Sequence, residues 1–102
     1  MAEPAVEPKV INNTEHNRYE LWLGERLAAF SVYREDGDQT VFLHTVVDEA
    51  MEGRGLGSVL AKAALDDTVH RGHVIVPLCP FIAHYLRKTT EYDVHVRWPS
   101  GE

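Results

Sequence analysis

A single cysteine, Cys79, is all the thiol this 102-residue chain carries. One cysteine excludes an internal disulfide framework and suits a reducing, cytoplasmic setting. Basic residues are few, ten Lys and Arg against sixteen Asp and Glu, for a net charge of −6. With no basic stripe, a broad nucleic-acid surface is excluded. An acidic surface instead draws cations, amines among them. Long apolar runs are missing, so nothing approaches the roughly 20 residues that cross a bilayer, and no membrane partner is expected. The first residues also lack the charged-then-apolar pattern of a secretory leader. Six histidines are scattered without ligand spacing, so no metal site is expected. Internal repeats and low-complexity segments are absent.

What is present is enough for one core. Hydrophobic residues make up 44% of the chain, and a domain of this size buries roughly two-thirds of its unfolded surface without staples. Residues 1–9, with two prolines and no periodicity, read as a flexible tail. Residues 10–98 read as one domain and 99–102 as a second tail. Val10-Ile11 opens a first strand, and Tyr19–Leu23 forms another that stops at Gly24-Glu25. Arg26–Arg34 continues as a strand, with Leu27, Ala29 and Ser31 on one face and Ala28, Phe30 and Val32 on the other. The Asp36-Gly37 turn signal joins it to Thr40–Val47 as a hairpin. The N-terminal half is therefore an antiparallel meander.

The second half changes period. Leu56, Val59, Leu60, Ala63 and Ala64 recur at helical spacing, His70 and Arg71 suit the C-terminal dipole, and Gly72 fits the cap. His73–Val76 reads as a buried strand stopped by Pro77. A strand–helix–strand crossover makes its two strands parallel. Pro80 fits the first position of a second helix running to Lys88. Tyr92–Trp98 alternates and reads as a final strand. The fold class is α/β, a mixed α+β sheet with two helices.

The chemistry concentrates between the hairpin and the first helix, in Glu52-Gly53-Arg54-Gly55-Leu56-Gly57-Ser58. Glycine lets backbone bend sharply and approach a ligand. The first amides of a helix lack internal partners and sit at the positive end of its dipole. Strand, glycine loop and helix start together form a cradle for an anion, most simply a phosphate. No Gly-Lys-Ser/Thr closes the loop, which excludes a P-loop. Ser58 stands where a dinucleotide fingerprint needs its third glycine, and no acidic residue ends a second strand about 20 residues on. The same loop, with no ligand, is also a serviceable helix-entry turn.

The loop resembles the pyrophosphate-binding signature Gln/Arg-x-x-Gly-x-Gly/Ala of the GNAT superfamily of acetyl-CoA-dependent N-acetyltransferases. Gly55 and Gly57 fall on its two small positions, and Glu52 departs from it. Pro77-Leu78-Cys79-Pro80-Phe81-Ile82, then Tyr85 and Glu91-Tyr92, resemble a small single-domain branch of that superfamily with a Cys-Pro-Phe motif. The resemblance spans Glu20 to Val94. Relatives in this branch often read His-Thr-Glu-Val where this chain has His44-Thr45-Val46-Val47, so a carboxylate is missing at Val46. The N-terminal helices usual in the fold are missing too.

This resemblance implies a compact GNAT-like domain that moves an acetyl group from acetyl-CoA to a small-molecule or peptide amine. A monomer or weak homodimer is expected. The amides of Gly53, Arg54, Gly55, Leu56, Gly57 and Ser58, preceded by Glu52, would hold the pyrophosphate. Backbone at Val46 and Val47 would line the pantetheine slot, where a free amide stabilises developing charge. Tyr85 is the candidate acid, a phenol able to return a proton to a thiolate, or else a core tyrosine. His44 is the candidate general base, or is structural. Cys79, before a helix start, is either an activated thiol or a small core filler. A CoA-binding module without turnover, and a Cys79-based thiol protein of the same fold, remain the alternatives.

Overall fold

A computed structural model describes residues 7–99. In chain order the elements are β1 (Pro8–Asn13), β2 (Arg18–Leu23), β3 (Arg26–Asp36), β4 (Gln39–Val47), a 3-10 turn (Glu49–Met51), α1 (Leu56–His70), β5 (Val74–Pro77) and α2 (Pro80–Arg87). The strands form one sheet in the order β1-β2-β3-β4-β5. Neighbours are antiparallel through β4, and β4 and β5 are parallel. The mixed α/β architecture follows from the turns: Gly24-Glu25 and Gly37-Asp38 are too short to reverse anything but a hairpin, whereas the α1 crossover brings β5 back parallel.

Beyond shifts of one or two residues at strand ends, such as β5 taking in Pro77, which pairs with Phe42, two differences from expectation stand out. β1 starts at Pro8, inside the segment read as a tail, because Pro8 and Lys9 pair with Leu23 and Trp22. Proline is tolerated there, since it begins an edge strand. The rest of that expected tail, residues 1–6, and residues 100–102 lie outside the described residues. The expected final strand is the second difference. Asp93–His95 form a 3-10 turn, and Val96 makes an isolated parallel bridge to Ile75. β5 is four residues long and offers little ladder to extend. Tyr92 instead turns into the core and donates a hydrogen bond to Asp66 of α1.

Both helices pack on one face of the sheet. Tyr19, Leu21, Ala29 and Phe42 meet Leu60, Ala61, Ala64 and Leu65 of α1, with Ile82 and Leu86 of α2 closing the core. The fully buried Ala61 and Ala64 let α1 lie close on the strands. Among the described residues the opposite face carries no helix. There Arg18 covers the Phe30 ring at 4.7 Å and pairs with the buried Glu20 at 2.6 Å.

One irregularity decides which side chains reach the helix side. Val32 of β3 opposes His44, and Tyr33 opposes Phe42, so Leu43 of β4 has no partner. Such a bulge shifts the alternation by one residue. Phe42 faces the core before it. After it Thr45 and Val47 turn to the helix side, and His44 and Val46 turn to the bare face.

Candidate functional site

Four residue pairs join β4 to β5, from Gln39↔Val74 to Phe42↔Pro77. The Cys79 amide then bonds to the Phe42 carbonyl at 2.8 Å and the chain turns away into α2. β4 continues to Val47 with its β5-side edge open. The strands therefore part into a slot, and the slot ends at the glycine loop.

That loop is positioned from below. Asp48 caps the 3-10 turn through the Ala50 amide at 2.9 Å and takes a hydrogen bond from Arg26 at 2.9 Å. Arg26's hydrogen bond, then the Ala50 amide, hold the Asp48 carboxyl below its ordinary range. Gly53 and Gly55 follow at φ +87° and +72°, a left-handed backbone that side chains resist. Gly55 is the N-cap of α1, and no side chain caps the helix. The first-turn amides therefore face outward at the positive end of a 15-residue helix.

Slot, loop and helix start enclose one cleft of about 440 Å³, lined by Thr45, Val47, Met51, Glu52, Gly53, Gly55, Leu56, Gly57, Ser58 and Phe81. A backbone cradle opening into a slot beside an unpaired strand fits an extended ligand with a phosphate at its middle. Glu52 is the charged side chain in that lining, so an anion placed here would meet backbone amides and no cationic side chain.

The candidate residues are thus partly gathered and partly dispersed. Glu52, Gly53, Gly55, Leu56, Gly57, Ser58 and Val47 share the cleft. Arg54 does not line it; it borders a neighbouring hollow with Pro8, Leu23 and Arg26. Val46 projects to the bare face, 43% exposed, beside Leu27 and Phe30. His44 is exposed on the same bare face. Tyr85 lies past Phe81, toward α1 and the end of α2, and does not line this cleft. Cys79 is buried at 1% exposure as the N-cap of α2. Its sulfur lies 3.3 Å from the Thr45 hydroxyl, which meets the Ser31 hydroxyl at 2.9 Å. Among the described residues no cluster of His, Cys, Asp and Glu could hold a metal.

Three residues of the cleft escaped the sequence reading: Met51, at the end of the 3-10 turn, Thr45 and Phe81. Thr45 reaches it because of the unpaired Leu43, and a bulge leaves no mark in the residue pattern. Phe81 reaches it by packing on Gly57, where a Cβ would stand 2.5 Å from the ring. Gly57 therefore serves helix packing as well as the loop.

The fold and cleft together define a class. The family described as GCN5-related N-acetyl-transferase matches residues 18–95, most of the chain, and the chain belongs to it. Its fold is shared with the NMR solution structure of a "GCN5-like putative N-acetyltransferase" from Staphylococcus aureus, at 24% identity and a TM-score of 0.69, over 98% of this chain and 96% of that one. No curated protein matches the sequence.

Proposed function

We propose that this protein is an acetyl-CoA-dependent N-acetyltransferase acting on a primary amine. The observation that carries the reading is the uncapped, glycine-led start of α1 opening into the slot where β4 leaves β5. Bound there, acetyl-CoA supplies an activated thioester. The amine nitrogen bonds to the acetyl carbon, the carbon–sulfur bond breaks, and the proton released by nitrogen balances the departing thiolate. The amides of Gly55 to Ser58 hold the pyrophosphate, and the open edge of β4 near Val47 holds the pantetheine. Thr45 lines the cleft and its hydroxyl meets the Cys79 sulfur at 3.3 Å, so that hydroxyl is the route for the proton to sulfur. His44 and Tyr85, placed elsewhere, are not needed for that step. The amine, arriving as an ammonium ion, first gives one proton to water; the proton that nitrogen releases after attack is the one that reaches sulfur.

One observation favours a second reading, a CoA-binding module without turnover. Position 46 is apolar and turned to the bare face, so β4 supplies no carboxylate base. Acetyl-CoA binding with no transfer to any of a panel of amines supports that reading.

The test is calorimetric titration with acetyl-CoA of the wild type and Ser58→Glu. Ser58 is exposed in the first turn of α1, where a glutamate stabilises a helix by about 0.5 kcal/mol. It also places negative charge in the anion cradle. Unchanged or raised thermal stability with binding weakened at least about tenfold, or about 1.4 kcal/mol, supports the site. Absence of binding by the wild type removes it.

A further inference from the structure

Ser31 puts a hydroxyl where the core asks for carbon. Its neighbours on the same face of β3, Ala29 and Tyr33, belong to the core, and Ser31 is itself 0% exposed. Burying a hydroxyl is costly unless a hydrogen bond compensates it. Resting on the acetyl-CoA reading, we propose that Ser31 is a positioning residue: its hydroxyl donates to Thr45 and holds the Thr45 proton toward the slot, where the sulfur of CoA would meet it.

The groups stand in a row across the sheet. Ser31 pairs with Thr45 in the β3–β4 register, and their hydroxyl oxygens are 2.9 Å apart. The Cys79 sulfur lies 3.3 Å from the same Thr45 oxygen. Ser31 is thus on the β3 side of Thr45 and Cys79 on the β5 side, the side on which the slot opens. Neither the Ser31 oxygen nor the Cys79 sulfur has a second hydrogen-bond partner among the described residues.

Counting protons fixes the direction. Each group carries one, and a hydroxyl oxygen can accept twice. If Thr45 donated to Ser31, the Ser31 proton would be left inside the core without an acceptor, at the full cost of desolvation. If Ser31 donates to Thr45, no buried hydroxyl proton is stranded. Thr45 then donates toward Cys79 or into the cleft that it lines. The one proton left over inside is the thiol's, and a thiol is a weak donor that loses little. The second arrangement prevails. It leaves Thr45 no acceptor on its β3 side, so its proton stays on the side of the slot. A hydroxyl that accepts one hydrogen bond also donates the next more strongly.

The experiment compares dissociation constants for CoA and desulfo-CoA, which lacks the sulfur, by calorimetry. The proteins are the wild type, Ser31→Ala, Thr45→Val and the double variant. The wild type should prefer CoA about tenfold, and Thr45→Val about twofold, the part that the size of sulfur alone supports. Ser31→Ala should fall between them, at about threefold, and should change nothing further when added to Thr45→Val. A general loss of packing weakens both ligands together and leaves the ratio unmoved. Ser31→Cys, close in size but a weak donor, should lower the ratio as Ser31→Ala does, and serves where the alanine variant folds poorly. A wild-type ratio kept in both Ser31 variants overturns the assignment, as does equal binding of the two ligands by the wild type. Failure of the wild type to bind either ligand overturns the acetyl-CoA reading itself.

Discussion

Gly55 has nothing within 4 Å of where a Cβ would stand, yet its φ of +72° is one that side chains resist. Its requirement is conformational, not spatial. Gly55→Ala should therefore lose about 1–2 kcal/mol in urea unfolding, and Gly55→Asn less, since asparagine tolerates the left-handed region. Equal losses would show that space matters after all. Glu20 gives the second prediction at this scale. Burial pushes its carboxyl up, but hydrogen bonds from Arg18, Asn13 and Trp22, with the Arg18 charge, bring it below its ordinary 4.5. A carboxyl depressed in the folded state contributes stability above the ordinary value and loses it as pH falls through the folded one. The stability gap between wild type and Glu20→Gln should thus be largest near neutral pH and narrow as pH falls below the ordinary carboxylate range. A gap that ignores pH removes this assignment. The glycines were legible as the sharp entry to α1 because their residue type carries the backbone requirement. Glu20 was not, because its partners Asn13 and Trp22 join it only through the side chains facing one sheet surface.

At the scale of elements, β4 shows where sequence pattern stops being enough. Strand alternation alone puts Thr45 and Phe42 on opposite faces. The unpaired Leu43 puts both toward the helices. Position 46 is therefore a surface site and position 47 a cleft site. Val46→Glu should change stability by no more than about 1 kcal/mol, as surface substitutions do. Val47→Glu should cost about 2 kcal/mol or more, because Val47 packs against the core and a carboxylate there lacks a partner. It should also abolish acetyl-CoA binding. Chemical denaturation of both variants checks the first pair of outcomes and calorimetry the last. If the two substitutions cost the same, the bulge is misplaced. The helices, by contrast, were readable nearly to the residue. Their stops are local: Pro80 at the start of α2, and Gly72 at φ +78° after α1.

At the scale of the whole molecule, one core under one sheet face carries the fold. Leu60 of α1 is fully buried where the helix crosses the strands. Leu60→Ala should cost about 2–5 kcal/mol and lower the melting temperature by roughly 10 °C or more. A shift of only a degree or two would show that α1 is not anchored as described. A polar arrangement at the far end of α1 ties helix to sheet. Tyr19 donates to Asp67 at 2.7 Å, and Arg71 bonds to Tyr19, Thr40 and Glu35. Burial, then the Asp67 hydrogen bond, push the Tyr19 phenol up to about 12. This network lies at the opposite end of α1 from the glycine loop, so it secures the helix that presents the cradle without entering the cleft.

The sequence by itself determined the order of elements through α2, the parallel crossover and the glycine-led start of α1. Each rests on turn chemistry, hydrophobic period or backbone freedom, and those act between residues near in the chain. Tertiary structure alone decided that Thr45, Ser31 and Cys79 meet, that His44 and Val46 face away, that Tyr85 stands beyond Phe81, and that Tyr92–Trp98 closes as a turn with one bridge. These outcomes depend on an unmatched residue in a strand, on where two strands part, and on which side chain fills the space over Gly57. Those are contacts between distant segments, and no local pattern encodes them.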